Sequence, residues 1–156
     1  MNNAFLGILA GWLSMGILDG LSAVILYKMR GITLTRGFQG IAAGLLGKSA
    51  FDGGGKTALL GVAMHFCVAL GVAVVYYIAS RQIAFLLERP IISGVVYGAI
   101  VFFVMFCIVL PLSALPGYKF AAIPMDRVLV QLAIHMVIVG PTVAISIAKL
   151  TANRAS

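Results

Sequence analysis

Residues 57–80 read TALLGVAMHFCVALGVAVVYYIAS, twenty-four positions without one Asp, Glu, Lys or Arg. About 20 apolar residues of helix cross the hydrocarbon of a bilayer, so this stretch predicts a transmembrane helix. Three other runs, 5–27, 90–110 and 128–150, have the same length and character. Backbone in lipid has no water to bond, and runs this long and evenly apolar suit helices rather than the alternating strands of a barrel. The expected fold is all-α: an integral membrane four-helix bundle, one transmembrane domain over residues 1–156. A short connection holding Arg81, Arg89 and Pro90 makes the second and third spans antiparallel neighbours.

Composition says the same of the whole chain. Of its 156 residues 62% are hydrophobic and only 10% charged, against about a quarter charged in an ordinary soluble domain. A soluble globular protein is excluded, and the bilayer is the expected partner. Eleven Lys and Arg against four Asp and Glu give a net charge of +7, but these cations sit between apolar runs, where they meet headgroups rather than nucleic acid. Cys67 and Cys107 lie inside spans and form no CxxC pair, so neither a disulfide framework nor a thiolate zinc site is indicated. The first apolar run is preceded by no Lys or Arg and exceeds a signal-peptide core, so it is read as a span and not as a cleaved leader.

Orientation is set by the cations. Lys28, Arg30, Arg36, Lys48, Lys56, Lys119 and Arg127 lie on one side, and Arg81, Arg89, Lys149 and Arg154 on the other. The richer side, which holds residues 28–56, is expected to face the cytoplasm. Within it, residues 36–47 place Phe38, Ile41, Ala42 and Leu45 at i, i+3, i+4, i+7, with Arg36 and Gln39 on other faces. This pattern predicts a short interfacial helix between the first two spans, a connector that shields the bundle.

Two relaxed phosphate-loop matches, AAGLLGKS at 42–49 and AFDGGGKT at 50–57, lack the first glycine, and neither comes after a strand. No nucleotide site is expected. The GxxxG pairs Gly7 and Gly11, Gly16 and Gly20, and Gly94 and Gly98 mark places where helix backbones approach closely. Packing within the chain is the default reading, with a homo-oligomer or a larger membrane complex left open.

The chemistry-bearing residues are the ionisable ones at membrane depth, because a carboxylate in hydrocarbon is costly and faces a partner or a wet cavity. They are Asp19, His65 and His135. Successive spans run in opposite directions, and each of these residues lies seven or eight positions from the same membrane side. At about 1.5 Å per residue they share a depth of roughly 12 Å. Gln131, His135, Thr142, Ser146 and Lys149 form a stripe on the fourth span. On the second, Gly61, His65, Ala69, Ala73, Tyr76 and Ser80 form a small and polar face, and on the first Gly11, Met15, Asp19 and Ser22 do likewise. These faces together predict a polar seam down the bundle axis, and Pro141 is expected to loosen the fourth helix beyond His135.

Three uses of this layer suggest themselves. Carboxylate and imidazole exchange protons near neutral pH, so Asp19, His65, His135 and Gln131 are candidates for a proton relay coupled to a solute. Asp19, His65 and His135 also match a divalent-metal ligand set, and two histidines at one depth could clamp a b-type haem, making a redox subunit. A structural or assembly subunit, tied by hydrogen bonds through Asp19, is the alternative of a different class. Catalysis is not indicated, since no nucleophile, base and oxyanion donors can be assembled from the loops.

The chain resembles a group of small, uncharacterised bacterial inner-membrane proteins with four spans. The matching pieces are Gly16-Ile17-Leu18-Asp19-Gly20, His65-Phe66, Tyr76-Tyr77-Ile78-Ala79-Ser80, Leu110-Pro111-Leu112-Ser113-Ala114, His135-Met136 and Gly140-Pro141. The resemblance implies a multi-pass protein of the bacterial inner membrane and assigns no activity.

Overall fold

A computed structural model describes residues 3–151. Met1, Asn2 and Arg154, which entered the readings of the leader and of orientation, lie outside the described residues. Four helices are long and apolar enough to cross a membrane: α1 (Asn3–Met29), α3 (Gly54–Ser80), α5 (Pro90–Leu112) and α6 (Met125–Thr151). Two shorter helices, α2 (Leu34–Leu46) and α4 (Phe85–Glu88), connect them. Each expected span is present and extends by two or three residues at one or both ends. Large apolar side chains such as Ile17, Leu21, Ile25, Leu59, Val75 and Ile100 point outward, which water would not tolerate at this density and lipid does. The chain is a multi-pass, all-α membrane bundle.

Glycine decides which helices touch. A Cβ on Gly7 or Gly11 of α1 would meet Thr151, Ile147 or Val143 of α6, and one on Gly16 would come within 2.8 Å of the Phe66 ring of α3. A Cβ on Gly94 or Gly98 of α5 would strike the backbone of Pro141 or His135 in α6. All three GxxxG pairs therefore pack inside the chain, where missing side chains let backbones close in. Gly140 against the Gly94 carbonyl and Gly61 against the Phe38 carbonyl add two contacts of the same kind outside any GxxxG pair.

The second and third spans, expected as antiparallel neighbours, meet through side chains rather than backbone. Backbone contact runs from α3 to α1, α1 to α6 and α6 to α5, while α3 and α5 stay apart despite their short connection. Bulky side chains face across that gap. Tyr97 donates to the Val72 carbonyl at 2.7 Å, Tyr76 Oη lies 2.8 Å from Ser93 Oγ, and the two tyrosine rings meet edge to face at 5.0 Å. Tyr76 also donates to the Leu86 carbonyl at 2.8 Å, tying the α4 end of the connection to α3. Where glycine closes a seam the helices touch; where tyrosine, valine and methionine stand, a space opens.

Helix α2 begins with Thr33, whose side chain accepts from the Arg36 N–H, and ends at Gly47, which holds a φ of 62°. It packs on α3, but with a different face from the one expected. Gly37, Gln39, Ala42 and Ala43 are buried, whereas Leu45 is 61% exposed. Gln39, expected to point away, donates to the Gly54 carbonyl at 3.1 Å and to Thr57 Oγ1 at 3.3 Å. Small residues win this face because only they admit the Phe38 carbonyl against Gly61 and the Tyr27 ring against Gly37. The two phosphate-loop matches fall in this region of α2, a 3-10 turn (Gly47–Phe51) and the start of α3, with no strand before either.

Both α5 and α6 widen into a π turn, at Met105–Val109 and His135–Val139. Leu110 N–H bonds the Met105 carbonyl and Gly140 N–H the His135 carbonyl, five residues back in each case. The causes are Pro111 and Pro141, which donate no hydrogen bond and crowd the preceding turn. The loosening expected from Pro141 thus begins at His135 itself, on the N-terminal side of the proline.

Candidate functional site

The gap between α3 and α5, closed behind by α1 and α6 and roofed by α2, is a cavity of about 640 Å³. Its walls are mainly apolar, with Met15, Met64, Val68, Val72, Met105 and Phe106 among them. Asp19, His65, Gln131 and His135, the four residues expected at the centre of the bundle, all line it. Ser22, Tyr27 and Arg36 complete its polar lining, apart from Ser113 at the α5 end.

Asp19 and His65 are brought together by the α1–α3 seam. Gly16 makes room for Phe66, and Gly20 lets the His65 ring lie over it, with Nε2 3.5 Å from where a Cβ would stand. Trp12 locks the register by donating to the Phe66 carbonyl at 2.7 Å. His65 Nε2 is then 2.9 Å from the Gly16 carbonyl oxygen. A carbonyl only accepts, so Nε2 carries the hydrogen and Nδ1 is left with its lone pair. Nδ1 faces Asp19 Oδ2 at 4.0 Å, with the two side chains 13% and 25% exposed.

His135 is held apart from this pair, against α5. Its Nδ1 donates to the Gln131 carbonyl at 2.8 Å, leaving Nε2 with its lone pair, the opposite tautomer to His65. Its ring packs edge to face on Phe102 and Phe106, at 5.6 and 6.1 Å, and the residue is 8% exposed. Gln131 reaches the same cavity from one turn earlier. Farther along α6, Ser146 lies 3.3 Å from Ser14 of α1, and Lys149 is exposed.

This geometry bears on the other ligand sets expected from the sequence. Among the described residues no three His, Cys, Asp or Glu side chains stand together as a metal site, so Asp19, His65 and His135 are not assembled into one. A haem clamp needs an open nitrogen on each histidine. His135 offers Nε2, but the free nitrogen of His65 is turned toward Asp19. The arrangement suits proton exchange between Asp19 and His65 and does not suit two-sided axial ligation.

Sequence reasoning missed Arg36 as a cavity residue. Its guanidinium stacks over the Phe51 ring at 3.9 Å, at the α2 edge of the cavity. The Gly37, Gly40 and Gly44 spacing on α2, each of which lines the roof, was the available signal. Comparison with known proteins finds no family model, curated protein or solved structure that matches this chain.

Proposed function

We propose that this protein carries protons through the Asp19–His65 pair and couples them to a solute held in the cavity. The observation that supports this reading is the geometry of His65: its Nε2 is committed to Gly16, and its other ring nitrogen faces a carboxylate on the wall of a mostly apolar space. A group buried this way is costly to maintain unless protonation changes there are used. His135 and Gln131 form the second polar station, on the α6 wall. On the same reading the protein resides in a bacterial inner membrane with the 28–56 side facing the cytoplasm, the side with seven of the Lys and Arg residues.

Reconstitution into liposomes containing a pH-sensitive dye tests the proposal. An imposed pH gradient is expected to collapse faster with the protein than without it, by uncoupled passage through the pair when no solute is present and faster still when solute is supplied. Asp19→Asn and His65→Gln are expected to abolish the difference, the latter because glutamine still donates to Gly16 but accepts no proton. Wild-type flux in both variants would show that the pair is a structural tie between α1 and α3.

A further inference from the structure

The solute class can be read from what the cavity offers, and this step rests on the proton reading of Asp19 and His65. We infer that the cavity binds an amphipathic organic monocation, a protonated amine with an apolar body, whose ammonium takes the place of the proton at Asp19.

The Asp19 carboxylate is the anchor. Among the described residues no side chain hydrogen-bonds it: His65 Nδ1 stands at 4.0 Å, beyond hydrogen-bond reach, and Tyr27 is near enough only to feel its charge. It therefore presents unfilled acceptor capacity to the cavity. An ammonium ion fills that capacity with charge-assisted hydrogen bonds, and does so in surroundings where such bonds are strong. An alcohol supplies no charge to match, and an anion is repelled at Asp19.

The walls choose the rest of the molecule. Met15, Met64 and Met105 surround the space with flexible thioethers that fit irregular apolar shapes, and Val68, Val72, Val101 and Phe106 add aliphatic and aromatic surface. A volume of about 640 Å³ lies within the range of sites that enclose drug-sized molecules. The charged and titratable groups facing the cavity are Asp19 and Tyr27 from α1, Arg36 from α2, His65 from α3 and His135 from α6, with none from α5. Arg36 is occupied with the Phe51 ring at the roof, so Asp19 is the sole fixed anion and the one site for a cation.

Sharing one carboxylate makes the two cations exchange. When the ammonium docks on Asp19, a proton carried by the pair leaves to water through Nδ1. One positive charge enters and one departs, no bond of the solute is altered, and proton and amine compete.

The test uses purified full-length protein in dodecyl maltoside and three matched probes: 4-phenylbutylamine, 4-phenylbutan-1-ol and 4-phenylbutyrate. Titration calorimetry in two buffers of different ionisation enthalpy reads both affinity and proton release. The amine is expected to bind with release of about one proton, more weakly as pH falls, while neither analogue competes; Asp19→Asn is expected to weaken it by about tenfold or more. Met64→Trp, which keeps the carboxylate and fills the space, is expected to do the same and serves if Asp19→Asn fails to fold. Equal binding of the alcohol, preference for the carboxylate, amine binding without proton release, or no binding would each overturn the inference. Proton flux in liposomes without added amine is read separately, so loss of the amine site and loss of the proton reading are distinguishable.

Discussion

Gly98 of α5 sits directly against the main-chain carbonyl of His135 in α6, so one of the close backbone approaches between these helices falls on the residue that carries an imidazole to the cavity wall. A methyl group at Gly98 has backbone and not a flexible side chain to push aside. Gly98→Ala is expected to cost about 1–3 kcal/mol, typical of overpacking. Gly71→Ala, on a helix face with nothing within 4 Å, is expected to be neutral or to stabilise by up to about 1 kcal/mol through helix propensity. Thermal unfolding of both variants in detergent checks the contrast.

Asp19→Asn is expected to leave folding almost untouched. The distance of 4.0 Å to His65 is long for a tie, and partly exposed pairs contribute about 0–1 kcal/mol. Thermal stability within that margin, beside lost proton flux, separates a working pair from a structural one. A fall of several kcal/mol with flux retained would reverse the assignment.

The α3–α5 gap is spanned by phenol groups, which makes their hydroxyls separable from their rings. Tyr97→Phe keeps the edge-to-face contact with Tyr76 but removes the hydroxyl's bond to the Val72 carbonyl, which still accepts within α3, and a loss of about 1 kcal/mol is expected. Tyr76→Phe removes bonds to both Leu86 and Ser93 in a fully buried setting. Its expected cost is at least as large, read from the same melts.

Gln39 holds the roof. Gln39→Leu abandons the Gly54 carbonyl and Thr57 hydroxyl that it bonds, at an expected cost of about 1–3 kcal/mol. The effect is local, so hydrogen exchange is expected to rise over residues 37–44 before it rises in α1 or α6.

Pro141→Ala restores the missing N–H and removes the reason for the π turn. Stability is expected to hold or rise, while the His135 ring turns relative to the cavity and proton flux falls. Unchanged flux would show that the wide turn has no part in positioning His135.

Much of this architecture is legible in residue patterns. The buried face of α3, Gly61, Ala69, Ala73, Tyr76 and Ser80, matches the stripe expected at helical spacing, because an unbroken α-helix preserves phase over its whole length. The stripe on α6 matches only in part. Gln131 and His135 line the cavity and Ser146 meets Ser14, but Lys149 is exposed; the π turn inserts an extra residue and rotates every later side chain by about 100°. The expected face of α2 is wrong because apolarity outweighs size in the pattern, yet Gly37 and Gly61 admit a ring and a carbonyl that leucine would exclude. The gap between α3 and α5 is hidden from the sequence because a short connection constrains only helix ends, not the distance between their middles.

The glycine seams make the molecule mechanically uneven. Three of its four long edges are zipped main chain to main chain, and the fourth is bridged by phenol rings near one end, with Val68 and Val109 at once lining the cavity and exposed. A box hinged this way gives first along its loose edge, which faces sideways into the bilayer. A greasy guest of the kind proposed would meet that edge from the membrane without passing through bulk water.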